Sequence, residues 1–506
     1  MTARPKRNLV KRYAAFYLWL LAALLLFLSS TSVLAAPKDR QAPTAPSLLT
    51  AAQVTETTVD LTWKASTDQV GVAKYLIYQG TGQIGTAVST AYKVTGLKPG
   101  TAYSFTVIAA DAAGNISAAS TVLRVTTLAA TTTTTPPTVV TASKTVIGYY
   151  TGWSTYNGLQ VASIDGSKLT HINYAFANVG TDLRIALSDP YADVEKRFPD
   201  DLATDPFFGN FNQLLKLKKK YPHLKTLISV GGWGGSAQFS NAALTDTSRT
   251  TFADSAVAFI VKYGFDGVDI DWEYPVAGGD AGNVNRPEDK TNFTLLMQKL
   301  REKLDAQGAK DGKTYLLTFA GAASSGYLNN IELGKLQAVV NYVNVMSYDL
   351  HGTWETKTGL NAPLYKDPAS GFTWETSVND AIALYRNAGV PAAKLVMGLA
   401  FYGSKYDNVT NANNGLYQSF SGGSSVTYAS LKTNYIGQGY TRYFHTEAKV
   451  PYLFNGSSFI TYDDPESLGY KTAYIKQQQL AGAMIWSLGY DTANSELLTA
   501  VYQGLQ

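Results

Sequence analysis

The stretch GFDGVDIDWEYP, residues 264 to 275, decides the fold because it combines the pattern of a buried strand with a row of acids. Side chains alternate between two faces along a strand, so Asp269, Asp271 and Glu273 share one face and the apolar residues between them share the other. Carboxylates about 6.7 Å apart on a buried element ionise together only at a high cost in free energy. Such a row therefore indicates a functional site rather than a core.

The chain has the size and composition of a globular protein with more than one domain. It has 506 residues, of which 45% are hydrophobic, and it contains no cysteine. Disulfides and thiolate metal sites are therefore excluded, and a large core must stabilise the fold. Much of the net charge of +4 arises in the first twelve residues. The remainder is near neutral, so we expect no nucleic acid partner.

The amino terminus has the layout of a secretory signal. Basic residues precede the apolar run YAAFYLWLLAALLLFL at residues 13 to 28, and small residues suited to cleavage follow as far as Ala36. We interpret residues 1–36 as a signal peptide and expect a secreted protein that no membrane holds after cleavage. An uncleaved membrane anchor is the alternative, because the apolar run is long.

Residues 41–128 are predicted to form an all-β sandwich. Alternating runs such as TTVDLTWKAS, residues 57 to 66, are separated by turn signals. Trp63 and Tyr103 are predicted core anchors. The Trp-bearing second strand and the segment GLKPGTAYSFTVIAADAAGNIS resemble a fibronectin type III module, which implies a spacer or, alternatively, a polysaccharide-binding domain. Residues 129–143, rich in Thr and Pro, are predicted to be an extended linker.

Eight short apolar runs alternate with amphipathic stretches between residues 144 and 506. The predicted strands lie at 145–153, 169–179, 224–233, 264–275, 315–324, 340–350, 394–403 and 481–491. This alternation predicts an α/β fold, a (β/α)8 TIM barrel with its active site at the carboxyl ends of the strands. Glu273 then lies at the catalytic rim. A small α+β insertion is predicted at about 404–462, either as a wall of the cleft or as an appendage that only stabilises the fold.

Five motifs in this part of the chain resemble glycoside hydrolase family 18, the chitinase family. DGVDIDWE, residues 266 to 273, fits the DxxDxDxE signature of that family, and SVGG, residues 229 to 232, fits its SxGG motif. MSYD at 346 to 349, FYG at 401 to 403 and the Trp of GAMIWSLGYD resemble the motifs of the later strands. The resemblance covers residues 144–506.

The resemblance implies a hydrolase in which the N-acetyl carbonyl of the substrate attacks the anomeric carbon. Glu273 is then the general acid and base. Asp271 shares a proton with Asp269 or Glu273 and stabilises the oxazolinium ion, while Asp269 is buried behind it. Tyr348 donates a hydrogen bond to the acetamido oxygen, and Asp349 holds the sugar ring.

Other residues of these motifs are expected to support the acids. Ser229 and Gly231 are predicted to support Asp269 and the turn after the strand. Asp266 has the opposite parity and is predicted to be structural. After FYG the family often has an arginine, whereas this chain has Ser404 and then Lys405. How sugars bind on the leaving side therefore stays open.

Substrate binding is expected to use mainly aromatic residues, because the apolar faces of sugar rings pack on flat aromatic side chains. The predicted set is Trp486, Tyr402, Met346, Trp233, Trp354, Tyr149, Phe176 and Tyr274. Trp486 is expected to form the floor under the sugar that is cleaved. Trp272 has the parity of a residue packed against helices, and Trp374 could lie either at the cleft edge or in the core.

No metal and no cofactor are expected, because the four histidines are scattered and neither HExxH nor GxGxxG occurs. The sequence therefore predicts a secreted, monomeric chitinase whose partners are chitin or chitooligosaccharides. An endo-β-N-acetylglucosaminidase acting on N-glycans is a second interpretation. A chitin-binding lectin is a third, but such proteins usually lose the acid that Glu273 supplies here.

Overall fold

The computed structural model describes residues 39–55, 57–128, 144–156, 158–374 and 377–506. The chain divides into two compact units, the first containing residues 39–128 and the second residues 144–506. The predicted signal peptide, residues 1–36, and the predicted linker, residues 129–143, lie outside the described residues. Among the helices of the described ranges, none is long and apolar enough to cross a membrane.

The smaller unit is an antiparallel β-sandwich. Its strands are β1 (Ser47–Val54), β2 (Val59–Lys64), β3 (Val72–Gln79), β4 (Gly82–Ala87), β5 (Ala91–Val94), β6 (Ala102–Asp111) and β7 (Leu123–Thr126). The two sheets have the strand orders β1-β2-β5 and β4-β3-β6-β7. Trp63 is buried and packs edge-on against Tyr75, with ring centroids 5.3 Å apart. Tyr103 is only half-buried, because its hydroxyl accepts a hydrogen bond from the backbone N–H of Lys98 near the surface.

The larger unit contains a closed barrel of eight parallel strands. They are β8 (Thr145–Thr151), β9 (His171–Val179), β11 (Lys225–Gly231), β12 (Gly267–Asp271), β13 (Leu316–Ala322), β14 (Tyr342–Met346), β15 (Leu395–Ala400) and β21 (Gly482–Trp486). Each strand pairs with the next, and β8 pairs with both β21 and β9, which closes the barrel. The short strand β10 (Ile185–Leu187) adds an antiparallel hairpin to β9. The predicted (β/α)8 architecture is confirmed.

Helices connect the barrel strands and cover their outer face. They are α1 (Gly209–Lys220), α2 (Phe239–Leu244), α3 (Asp246–Tyr263), α4 (Asp289–Asp311), α5 (Ser325–Asn329), α6 (Leu333–Val339), α7 (Val378–Asn387), α8 (Tyr428–Asn434), α9 (Pro465–Gln477) and α10 (Glu496–Leu505). The helix before the acid-bearing strand has clear boundaries in the sequence. Thr245 and Ser248 form a capping box at the start of α3, and Gly264 ends it in the left-handed conformation with φ 75°.

The insertion before the last strand is built around a five-stranded antiparallel sheet. Its strands are β16 (Tyr402–Tyr406), β17 (Gly423–Thr427), β18 (Thr441–His445), β19 (Val450–Phe454) and β20 (Phe459–Thr461), in the order β17-β16-β20-β19-β18. Helix α8 follows β17. Because β16 begins two residues after Ala400, the insertion starts at the carboxyl end of the seventh barrel strand, where the active site of such a barrel lies.

Candidate active site

A cavity of about 1020 Å³ opens at the carboxyl ends of the barrel strands. Gly231, Asp271, Met346 and Trp486, each the last residue of its strand, line it. Eleven of the thirteen predicted site residues also line it, namely Glu273, Asp271, Tyr348, Asp349, Trp486, Met346, Trp233, Trp354, Tyr149, Phe176 and Tyr274. The remaining two, Asp269 and Tyr402, are not among its lining residues. We call this cavity the main cleft.

Asp269 is fully buried at the centre of a hydrogen-bond network that joins five barrel strands. Its carboxylate accepts hydrogen bonds from the hydroxyls of Tyr149 at 2.7 Å, Ser229 at 2.8 Å and Thr318 at 2.5 Å. The side-chain amide of Asn344 donates a fourth at 3.2 Å. Burial raises the pKa of Asp269, and these hydrogen bonds oppose that rise. Tyr149, predicted as a substrate contact, therefore also anchors the acid row through its hydroxyl.

Asp271 and Glu273 lie progressively closer to solvent along the same face. Asp271 is 4% exposed, and its Oδ1 has no hydrogen-bond partner among the described residues. Burial raises the pKa of Asp271 well above its usual value, and the charges of Glu273 and Asp269 raise it further. Withdrawal from water also raises the pKa of Glu273 to about 7, with a further contribution from Asp349. A large fraction of Glu273 is therefore protonated near neutral pH.

The backbone of Glu273 is held by two side chains that the sequence analysis missed. Its N–H donates to Ser236 Oγ at 2.8 Å, and its carbonyl accepts from Asn283 Nδ2 at 2.6 Å. Both partners lie in irregular loops, where no periodic pattern marks a residue as important. The two bonds fix the point at which the chain leaves β12, and this fixes where the carboxyl group enters the cleft.

The two glycines of SVGG allow a close approach that a side chain would block. Gly231 has φ 109°, and a Cβ there would lie 2.2 Å from the carbonyl oxygen of Asp271. Gly232 has φ 78°, and a Cβ there would lie 2.6 Å from the ring of Phe176. The turn after β11 therefore packs directly against Asp271 and against an aromatic residue of the cleft.

Tyr402 lies behind Asp349 rather than in the wall of the cleft, where the sequence predicted it. Its side chain is buried, and its hydroxyl donates to Asp349 Oδ1 at 2.7 Å. The backbone N–H of Asp349 donates to Asn361 Oδ1 at 3.2 Å, and the N–H of Asn361 donates to Thr461 Oγ1 at 2.9 Å. Because Thr461 ends β20, these bonds connect the insertion to a residue of the main cleft.

Aromatic rings form a continuous platform along one side of the cleft. Trp486 stacks on Phe176 with centroids 5.7 Å apart and an interplanar angle of 25°, and Tyr149 packs 5.6 Å from Trp486. Trp153 extends this row from Phe176 at 6.4 Å. Trp354 lies among the exposed aromatic residues of the cleft, with 69% of its surface accessible. Such exposed rings suit the apolar faces of sugars.

The two remaining tryptophans of the barrel unit, Trp272 and Trp374, lie in different surroundings. Trp272 is 1% exposed and packs against Phe239 of α2 and Phe293 of α4, as expected from its parity. Trp374, for which the sequence allowed either the cleft edge or the core, is 47% exposed. It lines a second cavity that adjoins the main cleft. It therefore belongs to the cleft edge.

Three further residues from the sequence analysis, Asp266, Ser404 and Lys405, lie outside the main cleft. Asp266 forms an ion pair with Lys218 at 2.6 Å and accepts a hydrogen bond from the backbone N–H of Thr226 at 2.8 Å, which fits its predicted structural role. Ser404 is buried in β16, and the ammonium group of Lys405 pairs with Asp407. Neither Ser404 nor Lys405 lines the main cleft.

Comparison with known proteins identifies the families of both units. The family model described as Glycosyl hydrolases family 18 matches residues 145–491, and the one described as Fibronectin type III domain matches residues 44–126. The chain belongs to glycoside hydrolase family 18. It is 48% identical over 399 residues to Chitinase A1 of Niallia circulans. The aligned region covers 69% of this chain and 57% of that relative. The chain thus spans less than two thirds of that protein.

Two solved structures resemble about 70% of this chain. Chitinase ChiA74 from Bacillus thuringiensis has 41% sequence identity and a TM-score of 0.69, with 72% of this chain and 70% of that one covered. A family 18 N-acetylglucosaminidase from Paenibacillus barengoltzii has 40% identity and a TM-score of 0.63, with 71% of this chain and 99% of that one covered.

Proposed function

We propose that this family 18 glycoside hydrolase is a chitinase that cleaves β-1,4 bonds between N-acetylglucosamine units of chitin and chitooligosaccharides. The observation that carries the proposal is the placement of Glu273 in an aromatic-lined cleft, with its pKa raised to about 7 and the buried carboxyl of Asp271 beside it. A protonated acid at the mouth of a sugar-sized cleft is what cleavage of a glycosidic bond requires.

The first step uses one acid of the protein and one carbonyl of the substrate. Glu273 gives its proton to the oxygen of the scissile bond while the acetamido oxygen of the sugar attacks its own anomeric carbon. The bond to the leaving sugar breaks, and a cyclic oxazolinium ion forms. The carboxylate of Asp271 stabilises the positive charge, and the hydroxyl of Tyr348 orients the acetamido group.

The second step reverses the geometry of the first. Water attacks the anomeric carbon, Glu273 takes the proton of that water, and the bond from the anomeric carbon to the acetamido oxygen breaks. Two successive inversions retain the β-configuration. Glu273 is protonated again at the end, so the enzyme is ready for the next cycle.

A second candidate function is the release of single N-acetylglucosamine units. The resemblance to the N-acetylglucosaminidase of Paenibacillus barengoltzii, at 40% identity, supports it. Product analysis over time on a chitin hexamer separates the two functions, because an N-acetylglucosaminidase releases monomer first and a chitinase releases longer fragments. Parallel incubation with an N-glycoprotein tests the endo-β-N-acetylglucosaminidase alternative.

The same proposal includes the setting in which the enzyme works. The signal-like pattern of residues 1–36 supports export, and residues 41–128 act as a spacer. We expect a monomer that binds chitin or chitooligosaccharides without a metal or cofactor. The presence of Glu273 argues against a lectin that binds chitin without cleaving it.

The direct test replaces Glu273 by glutamine, which preserves shape but cannot donate the proton. Turnover of chitotetraose should fall by about 10² to 10⁴-fold, as expected for the loss of a general acid. Binding of chitotetraose, measured by calorimetry, should persist. The control is Glu302→Gln in α4, a surface glutamate whose side chain is 62% exposed. Activity of Glu273→Gln within a few-fold of the wild type would contradict the proposal.

A further inference from the structure

A second cavity of about 550 Å³ adjoins the main cleft at the acids, and we call it the side chamber. The two cavities share the lining residues Glu273, Tyr274, Met346, Tyr348 and Asp349. The other walls of the side chamber come from the segment after β13, from α5 and from the connection after β14. They include Ala323, Ser324, Gly326, Tyr327, Asn330 and Trp374.

The hydroxyl of Tyr327 identifies the side chamber as a place for a hydrogen-bonding occupant. The side chain is 6% exposed, and its hydroxyl has no hydrogen-bond partner among the described residues. Its ring packs edge-on against Tyr274, with centroids 5.7 Å apart, which holds it beside the shared wall. Buried hydroxyl groups in native proteins are satisfied by protein atoms or by ordered water.

Size and polarity favour water as that occupant. The volume is many times the roughly 30 Å³ that one water molecule takes up in the liquid, and polar cavities of this size hold water. Ser324, Asn330 and the carboxyl groups of Glu273 and Asp349 add hydrogen-bonding groups to the wall, and no lysine or arginine is among the lining residues. The walls thus suit a neutral hydrogen-bonding molecule.

The position of the side chamber connects this water to the second step of the reaction. Glu273 lines both cavities, so a sugar chain bound in the main cleft would cover one side of its carboxyl group and leave the side chamber open to the other. We propose that the side chamber is the route by which water reaches Glu273 while sugars still occupy the leaving side, with Tyr327 orienting that water. This inference rests on the proposed function.

Water competes at that step with the hydroxyl group of a second sugar. In hydrolysis, water attacks the anomeric carbon of the oxazolinium ion, its proton passes to Glu273, and the acetamido group is restored. In transfer, a sugar hydroxyl attacks instead, its proton passes to the same carboxylate, and a new glycosidic bond forms. A sugar acceptor enters through the main cleft, so narrowing the side chamber slows hydrolysis selectively.

The experiment fills the side chamber by Gly326→Leu. A Cβ at Gly326 meets only Ser324 Oγ, at 3.9 Å, so the new side chain has room without moving the backbone. Gly334→Leu is the matched control, since it adds the same side chain at an exposed position of helix α6, where a Cβ meets nothing within 4 Å. Mass spectrometry of chitotetraose digests gives the ratio of elongated oligomers to hydrolysis products.

We expect Gly326→Leu to raise this ratio about fivefold, which corresponds to about 1 kcal/mol between the competing steps, and Gly334→Leu to leave it unchanged. Tyr327→Phe keeps the ring and removes only the hydroxyl, so it should raise the ratio about twofold. If Gly326→Leu folds and still consumes chitotetraose, an unchanged ratio would overturn the inference and leave the proposed function standing. If that variant does not fold, an unchanged ratio in Tyr327→Phe overturns it. A wild-type enzyme that leaves chitotetraose intact would contradict the proposed function as well.

Discussion

The hydroxyl of Tyr149, on the first barrel strand, donates a 2.7 Å hydrogen bond to Asp269 on the fourth strand. With Ser229, Thr318 and Asn344 it holds a fully buried carboxylate at the base of the acid row. Asp269 lines neither the main cleft nor the side chamber, yet its charge raises the pKa of Asp271. We therefore infer that the network sets the protonation of the acids above it.

Replacing Thr318 by valine tests this network. The hydrogen bond from Thr318 lowers the pKa of Asp269, so its loss should let Asp269 bind a proton at a higher pH. Less negative charge then faces Asp271 and Glu273, and the pair should release its proton at a lower pH. The alkaline limb of the profile of kcat/KM against pH should move to lower pH.

The matched variant for this test is Thr226→Val. Thr226 is equally buried, in β11, but its hydroxyl is not one of the donors to Asp269. Its pH profile should match that of the wild type. A Thr318→Val profile that also matches the wild type would show that the network does not control the acids.

Asp271→Asn removes the charge that is coupled to Glu273. Turnover should fall by about 10² to 10³-fold, because the oxazolinium ion loses its stabilising carboxylate. In the wild type the charge of Glu273 raises the pKa of Asp271, so the pair holds its last proton to a higher pH than one carboxyl group alone would. With only Glu273 left, the alkaline limb should move to lower pH. The pH dependence of kcat/KM measures the shift, and an unmoved limb would contradict the coupling.

Asp266→Ala distinguishes a structural acid from the functional ones in the same motif. The change removes the ion pair with Lys218 and the hydrogen bond from the backbone N–H of Thr226. The free energy of unfolding should therefore fall by about 1–3 kcal/mol. We expect calorimetry to show a lower Tm and kinetics to show kcat within about twofold of the wild type. A large loss of kcat at unchanged Tm would instead place Asp266 in the catalytic machinery.

Removal of residues 41–128 tests the spacer role of the sandwich. Its tryptophan, Trp63, is buried, and the strongly exposed large apolar residues in its described part are aliphatic rather than aromatic. Among the described residues of the sandwich, no strongly exposed aromatic ring is therefore present for sugar stacking. Hydrolysis of soluble oligomers and sedimentation with solid chitin should both change by less than about twofold. A large loss of sedimentation would make the sandwich an adsorption domain.

The fold could be predicted because its signals are local. Each barrel strand is a short apolar run, and the parity of DGVDIDWE alone separates Asp269, Asp271 and Glu273 from Trp272. Strand order then places the last acid at the carboxyl end of the barrel. The aromatic residue at the end of the last barrel strand, Trp486, follows from the same rule.

The supporting residues could not be predicted because they depend on contacts between distant parts of the chain. Thr318 and Asn344 lie 49 and 75 residues from Asp269 along the chain. The sequence around these two residues does not mark them as hydrogen-bond partners of an acid. A shared inward face on neighbouring strands was the available signal for both. Tyr402 was predicted to line the cleft because a motif tyrosine near the site suggests contact with substrate, whereas its hydroxyl bonds to Asp349.

The identity of the attacking atom is the central claim, and partially acetylated chitosan tests it most directly. If the acetamido oxygen attacks, cleavage requires an N-acetylated sugar on the non-reducing side of the bond, because an amine has no carbonyl to offer. Proton NMR of the first products should show new reducing ends that carry only N-acetylglucosamine and appear first as the β-anomer. Glucosamine at the new reducing ends, or an initial α-anomer, would contradict substrate assistance.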